Sequence, residues 1–482
     1  MLKNTNSKPF SIFWVTLLFY ATLWWLSPGN KIIVALFFVL VFAYFWITRK
    51  LHLGFFLAYV ASLVIVTGKT YEIQLVPVGL FPIEWWPNGY IVKLILTNSF
   101  VLLLFLGAFV VRQFLQTSKN VTVKVSIIDV VIFGEIIWLI VSALFGSQNP
   151  QLSFIATLLG IPGYISYAYL RTFSKEKNLI GLLVGVIAAM VLFESLLSLQ
   201  QLLISSPVGK TIETQLTIED FGQAVDELAF RFRPVGTTSH ANDLATLLVI
   251  TLPLLIAYLL HKRSSYVFIS CIAGISALTL TLSRSGWLGF GSALLFIFYY
   301  YRFVPHFLKE LWLKAKASVV LVLFIFGGLF IIPRLQQTLY SFSDLGGGAF
   351  VRLEQIRTSL TLIALHPIFG VGSLMGVPES ISLEPEGVFA RFPSSVHNAF
   401  ILLTVENGIP MLLLRLSLIG IGFGIAFNSF KNTMLKDVRF PLLGMWAGVL
   451  GMLVITIFQP FFKMEFFLLF LGVTMQQLKG SS

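Results

Sequence analysis

The sequence predicts an all-α polytopic membrane protein of about 12–14 transmembrane helices, and three observations carry that prediction. Of the 482 residues, 57% are hydrophobic and only 11% are charged, whereas roughly 25% of a soluble domain is charged. Apolar stretches of membrane-crossing length recur from one end of the chain to the other, and the mean hydropathy is +0.89. Basic residues collect on every second connection between those stretches, as the positive-inside rule requires of cytoplasmic loops.

The apolar spans fall near 11–26, 32–48, 52–67, 91–112, 126–145, 151–171 and 179–204, and then near 243–260, 266–282, 286–302, 317–333, 408–428, 440–457 and 461–477. Lys3 and Lys8 precede the first span, and no small-residue cleavage site comes before Pro28, so it is read as a retained helix. After alternate spans come Arg49 and Lys50; Lys119 and Lys124; Arg171, Lys175 and Lys177; Lys262 and Arg263; Lys309, Lys314 and Lys316; and Lys431, Lys436 and Arg439. That alternation places both termini on the cytoplasmic side. The net charge of +12 is therefore a topology signal rather than a nucleic-acid-binding one.

The opposite side receives two long extracytoplasmic loops and a shorter one containing Trp85 and Trp86, whose rings suit an interfacial belt. The chain divides into N-terminal transmembrane helices (1–204), a first long loop (205–242), a helical core (243–333), a second long loop (334–407) and C-terminal helices (408–482). The single cysteine, Cys271, sits in an apolar span, which excludes an intrachain disulfide and argues against a thiolate metal site. Internal repeats are not apparent, and Gly346 to Gly348 reads as a flexible break.

Candidate chemistry lies in or beside the long loops. Ser394 or Ser395 is the expected N-cap of a helix beginning near His397. A histidine in a first helical turn feels the positive end of the dipole, stays neutral and can accept a proton; an interfacial hydrogen-bonded histidine is the alternative. Arg352 and Arg357 share a predicted helix ending before His366-Pro367, and their spacing points them about 140° apart, so only one of them serves a site. Arg284, in a tight turn, is either a snorkelling side chain or a guanidinium fork for phosphate oxygens. Arg231 and Arg233 precede a proline and either hold an anion or pair with Asp226 and Glu227, while His240 and Asn242 are placed to cap the next helix. Gly370 and Gly372 form either a close backbone approach to a ligand or a plain turn. The outer histidines His240, His366 and His397 lack metal-ligand spacing, and Glu135 and Glu194 inside apolar spans are either a proton relay or, the preferred reading, buried pairs.

Taken in order, Ser283-Arg284-Ser285-Gly286-Trp287, Arg352, His366 through Gly372, His397-Asn398 and Glu406-Asn407-Gly408 resemble the O-antigen ligase and polymerase superfamily of bacterial envelope proteins. The stretch from Arg233 to Asn242 looks like the segment preceding that core, and the resemblance covers about 230–430. It implies a GT-C-like membrane glycosyltransferase of the bacterial cytoplasmic (inner) membrane. Such an enzyme moves a glycan from undecaprenyl diphosphate to an acceptor sugar hydroxyl on the outer face, with no metal or cofactor. Carried over by motif, His397 becomes the base, Arg284, Arg352 and Arg233 the diphosphate ligands, and Asn398, Glu406, Gly370 and Gly372 supporting residues.

The partners implied are the lipid-linked donor, a glycan or lipid-linked acceptor and the bilayer, with no nucleic acid. Members of the family have somewhat fewer spans, and the surplus leaves ligase, polymerase and protein oligosaccharyltransferase open. From a different class, a transporter or flippase of lipid-linked glycans predicts charges at mid-membrane and inverted repeats with broken helices.

Overall fold

A computed structural model describes residues 7–25, 32–63, 68–76, 90–117, 125–161, 163–173, 178–205, 233–238, 240–301, 348–432 and 436–479. The chain is a helical polytopic membrane protein. Its first half runs α1 (Ser7–Trp25), α2 (Ile32–Thr48), α3 (Leu51–Ser62), strands β1 (Gly68–Val76) and β2 (Tyr90–Thr97), α4 (Asn98–Thr117), α5 (Ile127–Phe145), α6 (Pro150–Gly160), α7 (Gly163–Thr172) and α8 (Leu179–Ile204). The second half runs α9 (Ala241–His261), α10 (Ser265–Leu280), α11 (Arg284–Tyr301), α12 (Gly348–Leu365), α13 (Gly376–Leu383), α14 (Val388–Arg391), α15 (Ala399–Asn432), α16 (Lys436–Thr456) and α17 (Met464–Lys479). Seven of the described helical stretches are long and apolar enough to cross a membrane.

Helices α8, α9 and α16 are the most buried of these, while α4 and α5 turn most of their surface outward. α9 and α16 run antiparallel at very short range. Gly448 of α16 lies against the Ile250 carbonyl of α9, where a side chain would collide with backbone, so the small residue sets the helix separation. At one end of the bundle His261 and Lys262 of α9 meet Asp437 of α16. At the other end lie the start of α9, the turn between α10 and α11, the close of α16 and the whole 348–398 segment.

Two sequence expectations change. The apolar run at 91–112 is not one helix: its first residues form β2, antiparallel to β1 with Ile73 opposite Val92, and the crossing helix is α4. A short run rich in β-branched residues fits a strand as well as a helix, and the pairing partner decides. This ribbon roofs the 348–398 segment, with Val92 packed among Leu362, Val371 and Met375, and Val76 among Val377, Ile381 and Phe389. The span at 151–171 is a single membrane-length stretch made of two successive helices, α6 and α7. The span at 408–428 stands: the helix begun at Ala399 breaks at Gly408, where the backbone leaves helical geometry, and Pro410 opens the part that follows. The span at 317–333, Trp85, Trp86, Arg231 and most of the first long loop lie outside the described residues.

Candidate functional site

The first wall of the site is the segment 233–240, which two polar residues of α8 hold inside the bundle. Gln201 Oε1 accepts from the Val235 and Gly236 amides at 3.0 and 2.9 Å, and its Nε2 donates to the Gly236 carbonyl at 2.8 Å. Two turns deeper on the same face, Glu194 accepts from the amide and hydroxyl of Thr237. Glu194 lies roughly 15 Å inside the end of α8, so this irregular backbone descends below the helix end, which is tolerated only where protein satisfies it. Gly236 has φ +61° and sits against the Glu194 carboxylate, where no larger residue fits. The buried-pair reading of Glu194 is what the structure displays. Glu135 is held likewise, by Arg415 Nε at 2.8 Å and the Tyr164 hydroxyl at 2.7 Å.

Arg233 opens this segment and reaches across it. Its Nε donates to the Thr281 carbonyl at 2.9 Å and its Nη2 to Asn242 Oδ1 at 3.2 Å. These bonds tie the start of α9 to the turn 281–283, where Leu282 has φ +52° and the Ser283 hydroxyl accepts from the Gly286 amide. Arg284 follows that turn as the first residue of α11, with its side chain exposed at the site-bearing end.

His240 caps α9 as the sequence suggested, its Nδ1 accepting from the Asn242 amide at 2.9 Å. A neutral imidazole that accepts at Nδ1 carries its hydrogen on Nε2. Burial, reinforced by the charges of Arg233 and Arg352 and opposed by Asp243, pushes the pKa of His240 down to about 4.

The second wall is the 348–398 segment. Here the sequence left Arg352 and Arg357 undecided, and the fold separates them: Arg357 is exposed and pairs with Glu354 at 3.7 Å, whereas Arg352 faces His240 and His397 closely enough to shift both. Part of the Arg352 surface stays open, yet the surrounding protein displaces enough water to lower its pKa. It sits in the mouth of the site.

His397 is placed differently from expectation. The N-cap of α15 is Asn398, whose Oδ1 accepts from the Phe400 and Ile401 amides at 3.0 Å, so His397 precedes the helix rather than lying in its first turn. Its pKa still falls to about 4, through burial first, then Arg352, then His240. Ser394 serves another purpose. The fully buried Gln355 of α12 donates through Nε2 to the Ser394 and Phe392 carbonyls at 3.2 and 3.4 Å, and Nε2 is also 3.2 Å from the Ser394 hydroxyl. Only an amide NH2 can face two carbonyl oxygens, so Oε1 is the atom 3.4 Å from His397 Nδ1. Nδ1 therefore carries the hydrogen, and Nε2 keeps its lone pair.

The supporting residues form a joint between this segment and the membrane helix. Gly408, at φ +78°, interrupts α15. Beyond it the Ile409 amide donates to the Pro367 carbonyl, and Pro410 has no amide hydrogen to give. The carbonyls of Val405 and Glu406 thus lack helical partners, and the amides of Val371 and Gly372 supply them at 2.9 and 2.8 Å. Gly370 (φ +67°) lies against the α15 backbone, where a Cβ would be 2.5 Å from the Asn407 nitrogen, and Gly372 (φ +93°) lies against Ser147 and Ser153, where a Cβ would collide with both side chains. The close approaches are to α15 and to the start of α6. The Glu406 carboxylate accepts from the Leu374 and Gly376 amides and so caps α13.

The structure brings His397, Arg352 and His240 into one electrostatic neighbourhood, with Arg233 behind His240 and Arg284 past the turn that Arg233 holds. Asn398 opens α15 directly after His397, and Gly370, Gly372 and Glu406 lie where the 348–398 segment's continuation meets that helix. Sequence reasoning did not assign Gln355 any role or count His240 in the site; Gln355 carries no spacing signal, and the cap motif was all that marked His240. A cavity of about 190 Å³ begins at Ala399, directly after His397-Asn398, and descends past Phe400, Leu403 and Phe462 to Arg415. Among the described residues, no group of three His, Cys, Asp or Glu side chains is arranged to hold a metal ion.

Residues 269–416 match a family model described as O-antigen ligase, which supports the superfamily resemblance of the motifs. The match takes in Arg284, Arg352, Gly370, Gly372, His397, Asn398 and Glu406; Arg233 and His240 lie before it. No curated protein matches the chain.

Proposed function

With an O-antigen ligase match spanning α10 to the kink of α15 as the premise, we propose that this protein is a glycosyltransferase acting on a polyprenyl-diphosphate-linked glycan, undecaprenyl diphosphate being the donor lipid. The site-bearing end faces the outside of the bacterial cytoplasmic membrane, and the basic end with both termini faces the cytoplasm. The acceptor is a sugar hydroxyl. Its proton passes to Nε2 of His397 as its oxygen forms a bond to the anomeric carbon, and the anomeric carbon–phosphate oxygen bond breaks. Charge collects on the departing diphosphate, which Arg352 and Arg284 bind; fixed cations at the place where charge develops lower the barrier. Arg233 supports this arrangement as a brace rather than as a direct ligand, since its observed bonds go to Thr281 and Asn242. The first isoprene units of the donor run into the cavity beside Ala399, along its Phe400, Leu402, Leu403 and Phe462 side.

The observation that carries the reading is the neutral His397, oriented by Gln355 with Nε2 free of a proton, beside the cation Arg352. A proton acceptor next to a phosphate ligand is what glycosyl transfer from a diphosphate needs. The test supplies purified protein in liposomes with a polyprenyl-diphosphate-linked oligosaccharide and three acceptors: lipid A core, a second repeat unit and a serine- or threonine-bearing protein. Glycosylated acceptor together with free polyprenyl diphosphate supports transfer and tells ligase, polymerase and oligosaccharyltransferase apart. Movement of intact donor between leaflets without product contradicts it and leaves a flippase.

A further inference from the structure

Helix α12 is built inside out. The arc it turns to the protein carries Gln355, Thr358, Ser359 and Leu362, all buried and three of them polar. The opposite arc carries Leu353, Leu360 and Ala364 around Arg357, all exposed, and Leu365 and Ile368 are exposed at and just past the helix end. A helix on a water-facing surface shows the reverse pattern, apolar stripe inward and polar stripe outward. Exposed leucines scattered singly need no explanation, but a line of them along one helix does.

The helix does not cross the bundle. Arg352, Glu354 and Arg357 put three charges in 18 residues, and α12 is not among the helices fit to span a membrane. Both of its ends are fixed to the same end of the molecule. Near its start, Arg352 stands by His240 at the opening of α9. Just past its finish, Phe369 stacks on Trp138 at 5.8 Å and meets Phe145 at 5.9 Å, at the close of α5, while the Pro367 carbonyl takes the Ile409 amide. A helix of this length, roughly 27 Å, therefore lies along the bundle end. Its outer arc is continuous with lipid-facing surface: Phe145 of α5 and Ile409 and Leu413 of α15 are exposed apolar residues on membrane-crossing helices, next to Phe369 and Ile368.

We propose that α12 is an interfacial helix whose partner is the phospholipid leaflet itself. Leu353 and Leu360 enter the boundary between headgroups and acyl chains, and Arg357 beside them reaches the lipid phosphates. Apolar burial and phosphate attraction together hold such helices in the interface plane. The leaflet thereby sets the depth of Arg352 and Gln355, on the inner side of the same helix. The inference stands on the exposure pattern and does not depend on glycosyl transfer.

The test places a nitroxide on a single cysteine at Leu360, in a Cys271→Ala background, with the full chain in liposomes of phosphatidylethanolamine and phosphatidylglycerol. Cys271 is buried and is the chain's one cysteine, so the background is free of other labels. Leu360 is exposed, and a label at Leu353, two turns back on the same arc, repeats the reading should one variant fold poorly. Higher collision rates with oxygen than with a water-soluble nickel chelate, giving a positive depth parameter at all folded positions, are the expected result. Ready access to nickel overturns the proposal by making the arc water-facing. Protection from both reagents also overturns it, since the arc is then covered by a second copy or another protein.

Discussion

The side-chain oxygen of Gln355 lies 3.4 Å from Nδ1 of His397, and this contact decides which nitrogen of the imidazole is left to accept a proton. Gln355 is itself fixed by two carbonyl oxygens at its other end, so it cannot flip to present its NH2 to the ring. The orientation of the proposed base is thus inherited from α12, a helix more than forty residues away in the chain.

Changing Gln355 should therefore alter the acid–base behaviour of transfer and not only its rate. A carboxylate in Gln355→Glu favours imidazolium, and the acid limb of the pH–rate profile moves to higher pH. Gln355→Leu frees the ring to take the other tautomer and lowers kcat with little change in that limb. A residue of purely structural importance leaves the profile in place when either variant folds.

The wild-type profile itself is predicted to be asymmetric. In the free protein His397 is neutral down to about pH 4, because burial and Arg352 disfavour its charge. The acid limb of kcat/KM, which reports the free enzyme, therefore falls near pH 4. A bound diphosphate offsets the charge of Arg352, so the limb of kcat lies at higher pH. Steady-state rates from pH 3.5 to 8 measure both.

Arg352 and Arg357 should differ sharply despite sharing a helix. Loss of a charge-assisted bond to a diphosphate oxygen in Arg352→Ala costs about 2–3 kcal/mol, roughly a hundredfold in kcat/KM. Arg352→Lys recovers part of this but not the forked geometry. Arg357→Ala, which removes one exposed pair with Glu354, leaves kcat/KM within about twofold.

Two substitutions away from the chemistry test the scaffold. Gly408→Ala forces a Cβ into a left-handed position against the Ile368 carbonyl and should cost at least about 1–3 kcal/mol. Arg415→Ala strands the buried Glu135 carboxylate and should cost about 3–5 kcal/mol. Thermal unfolding in matched detergent reads both, and Leu413→Ala, on the exposed side of the same helix, serves as the neutral control.

Length and apolarity made most crossing helices legible, because both are properties of a contiguous segment. The same criterion misread 90–97, where the pairing with 68–76 is what turns an apolar run into a strand. Within the site, His397 and Arg352 stood out as polar residues in a hydrophobic chain. What could not be read was anything set by contacts distant in sequence. Spacing cannot choose between Arg352 and Arg357; the placement of His240 does. The pull of Glu194 and Gln201 on 235–237, which carries His240 into the site, links residues some forty positions apart. Gly370 and Gly372 read equally as a close approach to a ligand or a plain turn, and the carbonyls released by Gly408 and Pro410, which the amides of Val371 and Gly372 satisfy, appear only in the fold.

The central claim is that His397 takes the proton of the acceptor in a transfer that releases polyprenyl diphosphate. A single-turnover assay of wild type against His397→Ala, in liposomes with a lipid-linked oligosaccharide and its acceptor, measures it most directly. The account predicts release by wild type and a loss of at least about a hundredfold in the variant, at unchanged helix content and donor binding. Release by His397→Ala at the wild-type rate would contradict it.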